Sequence, residues 1–70
     1  MINTIDFYKD LGTKSAEAKN QHDEPRARFH AEHFRKARGL ENEDDRLLCS
    51  QVYDEAFRAA RHVPKPEYFR

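Results

Sequence analysis

Apolar side chains recur at spacings of three and four residues through most of this 70-residue chain, and that period is typical of amphipathic helices. No stretch alternates apolar and polar residues for more than three or four positions, as a half-buried strand would. Polar helix-start signals and helix breakers divide the pattern into three segments. The sequence therefore predicts an all-α protein folded as a small three-helix bundle, or as a four-helix bundle if the first segment breaks at Gly12.

The first segment covers about residues 3–21. Asn3 is the predicted N-cap, with Asp6 three residues later completing a pair that resembles a capping box. Gly12 interrupts the segment and costs about 1 kcal/mol relative to alanine if it stays helical, while Thr13 offers a second cap. We therefore expect either one kinked helix or two short ones. The apolar positions of this segment are Ile5, Phe7, Tyr8 and Leu11.

The second segment runs from an N-cap at Asp23 to about Arg38, with Pro25 in its first turn, where proline is tolerated. Gly39 is the predicted C′ residue, after which Leu40 packs back on the helix end. One apolar stripe contains Ala27, Ala31, Phe34 and Ala37, and a second contains Phe29, His33 and Leu40. So wide an apolar arc predicts a helix that lies between two others or in an interface.

The third segment is capped by Asn42, begins with three acidic residues and continues to about His62, before the helix-disfavouring Pro64. Its predicted buried stripe is Leu48, Val52, Ala56, Ala59 and Val63, with Leu47 and Phe57 off that stripe. Two alternating prolines then predict an extended tail. The predicted organisation is a helical domain over residues 1–63 and an extended tail over residues 64–70.

Composition narrows the possible environments. The chain has 13 basic and 13 acidic residues, so overall attraction to nucleic acid is not expected. Cys49 is the only cysteine, which excludes a disulfide within the chain and suits a reducing compartment. The N-terminus has no basic start followed by an apolar run, and no stretch approaches the roughly 20 apolar residues of a membrane span. We expect a cytoplasmic protein without membrane association.

Catalytic and metal-binding patterns are weak. His30 and His33 are three residues apart, but zinc sites need three or four protein ligands, and Cys49 or His62 would have to come from another helix. No metal-binding, phosphate-binding or nucleophile motif is present. The acidic run around residues 41–45 is explained by its position at a helix start. We therefore expect no enzymatic activity and no cofactor or metal.

A basic second segment indicates an alternative function. Arginine reads guanine edges and binds phosphates, and five basic residues lie on this helix: Arg26, Arg28, Arg35, Lys36 and Arg38. The following helix, however, begins with acidic residues where a recognition helix would present basic or amide groups. Those acidic residues also offer partners for the arginines. The alternative is a small nucleic-acid-associated regulator that uses the second helix.

Surplus apolar surface is the strongest functional signal. Three short helices cannot easily bury all eight aromatic residues, and aromatic and arginine side chains are enriched in interface hot spots. The other explanation is that the first helix and the tail cover all of this apolar surface. We predict a non-catalytic protein–protein interaction module, an adaptor or regulator, that forms a homodimer. The predicted interface residues, toward a second copy or a protein partner, are Phe29, His33, Leu47, Tyr53, Phe57, Tyr68 and Phe69.

Three stretches, residues 7–12 (FYKDLG), 33–38 (HFRKAR) and 56–61 (AFRAAR), resemble the short, charged, helical accessory proteins encoded in the early regions of temperate tailed phages. The resemblance is one of style over most of the chain. It implies a dispensable regulator that binds a host or phage protein, and it transfers no functional residue.

Overall fold

The structure, a computed structural model, describes residues 1–62 and consists of three α-helices. They are α1 (Ile5–Asn20), α2 (Glu24–Gly39) and α3 (Glu43–Ala60). Two three-residue loops connect them, so the direction alternates and α1 runs parallel to α3. No strand occurs within residues 1–62. The predicted all-α, three-helix architecture is confirmed, whereas Val63 and the predicted tail over residues 64–70 lie outside the described residues.

Side-chain caps determine where the helices begin. Asp23 accepts a hydrogen bond from the backbone N–H of Arg26, and Asn42 accepts one from Asp45, as predicted. The prediction of Asn3 as the first cap is wrong. Thr4 takes that role, because its hydroxyl accepts from the backbone N–H of Phe7 at 3.1 Å.

The helix ends differ from the predictions by one or two residues. Gly39 is the last residue of α2 and does not adopt a positive φ. Leu40 is 69% exposed and does not pack back on the helix. Helix α3 ends at Ala60 rather than His62. There the Asn20 amide of α1 donates to the Ala60 carbonyl at 2.9 Å, which joins the ends of the two helices.

Helix α1 is continuous through Gly12, so neither the predicted break nor a fourth helix occurs. A Cβ atom at Gly12 would lie inside contact distance of the Tyr53 carbonyl oxygen and 3.0 Å from the Cβ of Ala56. The glycine therefore lets the backbones of α1 and α3 approach closely. Its packing role explains why it is there, although glycine lowers the intrinsic stability of the helix.

Helix α1 lies between the other two. It packs against both α2 and α3, which make few contacts with each other. Of the two settings predicted for α2, a position between two other helices is therefore wrong, and a position in an interface stays a prediction. Small side chains on α1, including Ser15, Ala16 and Ala18, are buried and allow both neighbours to approach. The central hydrophobic cluster consists of Tyr8, Leu11, Phe34, Ala37 and Cys49.

The buried face of α3 is displaced from the predicted stripe. Leu48 is 37% exposed and Ala59 is also exposed, while Cys49 is only 1% exposed. Because α3 meets α1 at Gly12 through the backbone around Tyr53, the residues that face inward are those on the Cys49 side of the helix. The prediction that Leu48 and Ala59 face the core is therefore wrong.

Candidate interaction surfaces

A buried carboxylate connects the N-terminal segment to the α2–α3 loop. Glu41, 3% exposed, accepts hydrogen bonds from the backbone N–H groups of Ile2 and Asn3 at 2.7 and 3.0 Å. The Tyr8 hydroxyl donates a third at 2.7 Å. Burial alone would raise the pKa of Glu41, but these donors, with the Met1 amino group, lower it below the ordinary glutamate value. The loop and the N-terminal segment are thereby held together.

The apolar side chains left outside the fold are concentrated at this end of the bundle. The start of α1, the end of α2 and the start of α3 meet here. Of the seven large apolar side chains that are exposed within residues 1–62, six belong to this region, which we call the apolar end. It consists of Met1, Ile2, Ile5, Leu40, Leu47 and Leu48. Because large exposed apolar patches mark interaction sites in folded proteins, the apolar end is a candidate interaction surface.

Two predicted interface residues lie on one flank of α2. Phe29 is 64% exposed, and its ring centroid is 6.2 Å from that of His33. His33 in turn meets Phe7 of α1 edge to face, at 5.6 Å. Leu40 follows His33 by seven residues, two helical turns. The flank therefore extends the apolar end along α2.

Two other predicted interface residues are half-buried within the fold. The Tyr53 ring stacks on Phe34 with centroids 4.0 Å apart, and its hydroxyl donates to Ser15 Oγ at 2.8 Å. Phe57 is half-buried and stacks on Tyr53 at 6.4 Å. These contacts join α2, α3 and α1. Tyr68 and Phe69, also predicted for the interface, lie outside the described residues.

An open cleft separates α2 from α3 above these rings. It has a volume of about 420 Å³ and is lined by Ala31, Phe34, Arg35, Arg38, Ser50, Tyr53 and Asp54. The Arg38 guanidinium lies over the Phe34 ring, 5.7 Å from its centroid, and donates to Ser50 Oγ at 3.0 Å. This α2–α3 cleft thus has an aromatic floor and a basic wall. No local sequence pattern indicates this cleft, because it forms only when α1 holds α2 and α3 apart.

The basic residues of α2 point in several directions. Arg26 lies 3.9 Å from Asp23 and lines a depression with Lys14 and His30. Lys36 borders Phe29 and His33 on another flank. Only Arg28, Arg35 and Arg38 follow the side that faces the α2–α3 cleft. The predicted nucleic-acid residues therefore do not form a single face.

The acidic start of α3 does not neutralise these arginines. Asp45 pairs instead with the Met1 amino group at 3.3 Å. Among residues 1–62, no carboxylate lies within 4.0 Å of the charged groups of Arg28, Arg35, Lys36 or Arg38. The possibility that acidic side chains of α3 pair with the arginines is not realised in this part of the chain.

Two of the residues considered as metal ligands, His30 and Cys49, pack within the fold. Nδ1 of His30 is buried and has no hydrogen-bond partner among residues 1–62. Burial lowers the pKa of His30, as do the charges of Lys14 and Arg26. Cys49 is buried in the central cluster beside Tyr8. Across the described chain, no three His, Cys, Asp or Glu side chains come together in a way that could hold a metal ion.

The three helices of residues 1–62 include none with both the length and the apolar character needed to cross a bilayer. Comparison of the chain with known protein families, curated proteins and solved structures finds no match. Its surfaces are therefore the basis for a functional proposal.

Proposed function

We propose that this protein is a non-catalytic protein–protein interaction module, an adaptor or regulator, that acts as a homodimer. The supporting observation is the apolar end, where six large apolar side chains are exposed beside the buried central cluster. Burying one such side chain fully stabilises a protein by about 1.5–3 kcal/mol. For a domain of this size that is a large fraction of the total stability.

A second copy is a suitable partner for the apolar end, because pairing about a two-fold axis buries the same surface on both chains. The exposed charges beside this surface have both signs, since Asp44 and Arg46 lie in the first turns of α3 next to Leu47. A polar rim around an apolar centre is the usual arrangement of a stable interface. Across a two-fold axis, the acidic and basic groups of such a rim can face each other.

The interface proposed from the structure differs in part from the one expected from sequence. Leu47 belongs to the apolar end, and Phe29 and His33 lie on the adjoining flank of α2. Tyr53 and Phe57 contribute less, because much of their surface is already covered within the chain. Dimerisation through the apolar end leaves the remaining surfaces of both copies accessible. An adaptor or regulator could use them, and the resemblance to phage accessory proteins fits such a role.

Light scattering on two matched variants of α3 tests the proposal. Leu47→Glu places a charge in the apolar end, whereas Gln51→Glu places the same charge one turn away at another exposed position. We expect Leu47→Glu to halve the mass of the wild-type particle and Gln51→Glu to leave it unchanged. Equal masses for the wild type and both variants would contradict a dimer built on this surface.

Nucleic-acid binding is a second candidate function, and one observation favours it. Arg28, Arg35, Lys36 and Arg38 have no acidic partner within residues 1–62. If they bind phosphates, affinity for duplex DNA should fall steeply as salt rises, and Arg28→Glu with Arg35→Glu should abolish binding. We rank this function second because the basic side chains are distributed around α2 rather than along one face.

A further inference from the structure

We propose that the α2–α3 cleft binds an amphipathic α-helix of a partner protein, with apolar side chains on the aromatic floor and acidic side chains against α2. This surface is separate from the apolar end and gives the adaptor a second, chemically defined binding site. Three features of the cleft suit such a helix: its shape, the packing of its aromatic rings and the distribution of charge along its walls.

The shape of the cleft follows from the central position of α1. Because α2 and α3 pack on α1 and make few contacts with each other, the bundle has an open side between them. The stacked rings of Phe34 and Tyr53 close the bottom of this opening, and Phe57 continues the row along α3. A groove between two helices with an apolar floor is the setting in which amphipathic helices bind. A helix placed there would occupy the fourth corner of a four-helix bundle.

Charge along the cleft is asymmetric. A smaller depression of about 200 Å³ adjoins the main one, since both are lined by Ala31 and Arg35. It brings Arg28 to the same side of α2, and its other two charged residues, Lys19 and Glu24, pair with each other at 3.4 Å. Arg28, Arg35 and Arg38 thus follow the α2 wall over almost three turns. The opposite wall presents Asp54 and Ser50, and the Ser50 hydroxyl accepts the hydrogen bond that Arg38 donates across one end of the cleft. A ligand that matches both walls carries acidic residues on the flank facing α2 and neutral or basic residues on the flank facing α3.

The aromatic floor favours a helix over a nucleic acid. Single-stranded nucleic acids use aromatic rings whose faces are free to stack on bases. Here the facing surfaces of Phe34 and Tyr53 are occupied by each other, at a centroid distance of 4.0 Å, and Phe34 is only 8% exposed. Asp54 on the α3 wall would also repel phosphates. Ring edges and Ala31 remain, and these suit the aliphatic side chains of a helix.

Fluorescence anisotropy with two designed peptides tests the proposal on the full chain. Both peptides are labelled amphipathic helices with leucine on one face. The flank that would face α2 carries glutamate in the first peptide and lysine in the second, and the opposite flank is neutral in both. We expect the acidic peptide to bind and the basic peptide to bind at least about tenfold more weakly. Arg35→Glu should weaken binding of the acidic peptide by about tenfold or more, while Lys9→Glu, an exposed change on α1 away from the cleft, should not.

Several outcomes would overturn the proposal. These are equal binding of the two peptides, no binding of the acidic peptide, and unchanged affinity in Arg35→Glu that circular dichroism shows to be folded. Displacement of the acidic peptide by a single-stranded oligonucleotide would assign the cleft to nucleic acid instead. Arg28→Glu provides a second variant in the same wall. Leu47→Glu separates the two binding sites, because it should retain peptide affinity whether or not it abolishes a dimer.

Discussion

The Tyr8 hydroxyl donates a 2.7 Å hydrogen bond to Oε2 of Glu41, and both side chains are buried. These residues are 33 positions apart in sequence, so the bond fixes the α2–α3 loop against α1. The same carboxylate binds the backbone of Ile2 and Asn3. The arrangement determines how the N-terminal segment, Leu40 and the start of α3 come together at the apolar end.

Removing the Tyr8 hydroxyl should destabilise the protein. Tyr8→Phe deletes the donor to a buried carboxylate, and hydrogen bonds to charged groups contribute about 1.5–3 kcal/mol. Tyr53→Phe is the matched control, since it deletes a hydroxyl that donates to the neutral Ser15 Oγ, a bond expected to contribute about 0.5–1.5 kcal/mol. Urea unfolding of both variants measures the difference. Equal stability losses, or a larger loss in Tyr53→Phe, would show that the bond to the Glu41 carboxylate is no stronger than the bond to the neutral Ser15 hydroxyl.

Stability should fall in acid because of Glu41. Its pKa is lower in the folded chain than in the unfolded chain, so its contribution is fully present above the ordinary glutamate pKa. That contribution is lost as the pH falls through the folded pKa, because the unfolded chain binds the proton first. Glu41→Gln should lower the stability at neutral pH and make the stability depend less on pH in the acid range. If the urea midpoint of Glu41→Gln falls with decreasing pH as steeply as that of the wild type, other groups cause the acid sensitivity.

His30 should make the stability of the fold depend on pH in a range nearer to neutrality. Its folded pKa is depressed, primarily by burial, so the neutral ring is favoured in the fold. The stability it contributes is present above the ordinary histidine pKa of 6.5 and is lost as the pH falls through the lower, folded pKa. We expect the melting temperature to decrease from pH 7 toward pH 5. His30→Gln should reduce this decrease, whereas His22→Gln, at an exposed position, should leave it intact.

The two glycines should respond in opposite ways to alanine. Gly12→Ala would force a methyl group against the Tyr53 carbonyl oxygen and Ala56, and overpacking of this kind costs about 1–3 kcal/mol. At Gly39 an added methyl group meets no other part of residues 1–62 within 4 Å, so Gly39→Ala should be neutral or stabilising by up to about 1 kcal/mol. Thermal melts of the two variants provide the comparison. A stabilised Gly12→Ala would mean that α1 and α3 do not approach as closely as described.

Local sequence signals predicted the helices well but not their arrangement. The caps at Asp23 and Asn42 are local devices whose donors lie three residues away, so the pattern alone indicates them. Gly12 has the intrinsic properties of a helix breaker. Its reason for being in a helix is contact with Tyr53 and Ala56, which are more than 40 residues distant. Tertiary packing of that kind is not visible in a local pattern.

The same limit applies to the candidate surfaces. Leu47 was predicted for an interface because it lies off the main stripe of its helix, and Phe29 because it lies on a second apolar stripe; both are exposed. Tyr53 could not be placed in this way, because its cover comes from Phe34 and Ser15 on two other helices. Glu41 was interpreted as part of an acidic helix start. The one available signal was its position before the cap, outside α3, where the helix dipole has less effect on it.

The oligomeric state of the wild-type chain tests the central claim most directly. Sedimentation equilibrium from low to high micromolar concentration should show a particle of twice the 8.3 kDa chain mass, with dissociation appearing only at the dilute end. Leu47→Glu should sediment as a monomer throughout the same range. A wild-type chain that remains at 8.3 kDa even at the highest concentration would contradict the proposed homodimer and show that the apolar end is not covered by a second copy.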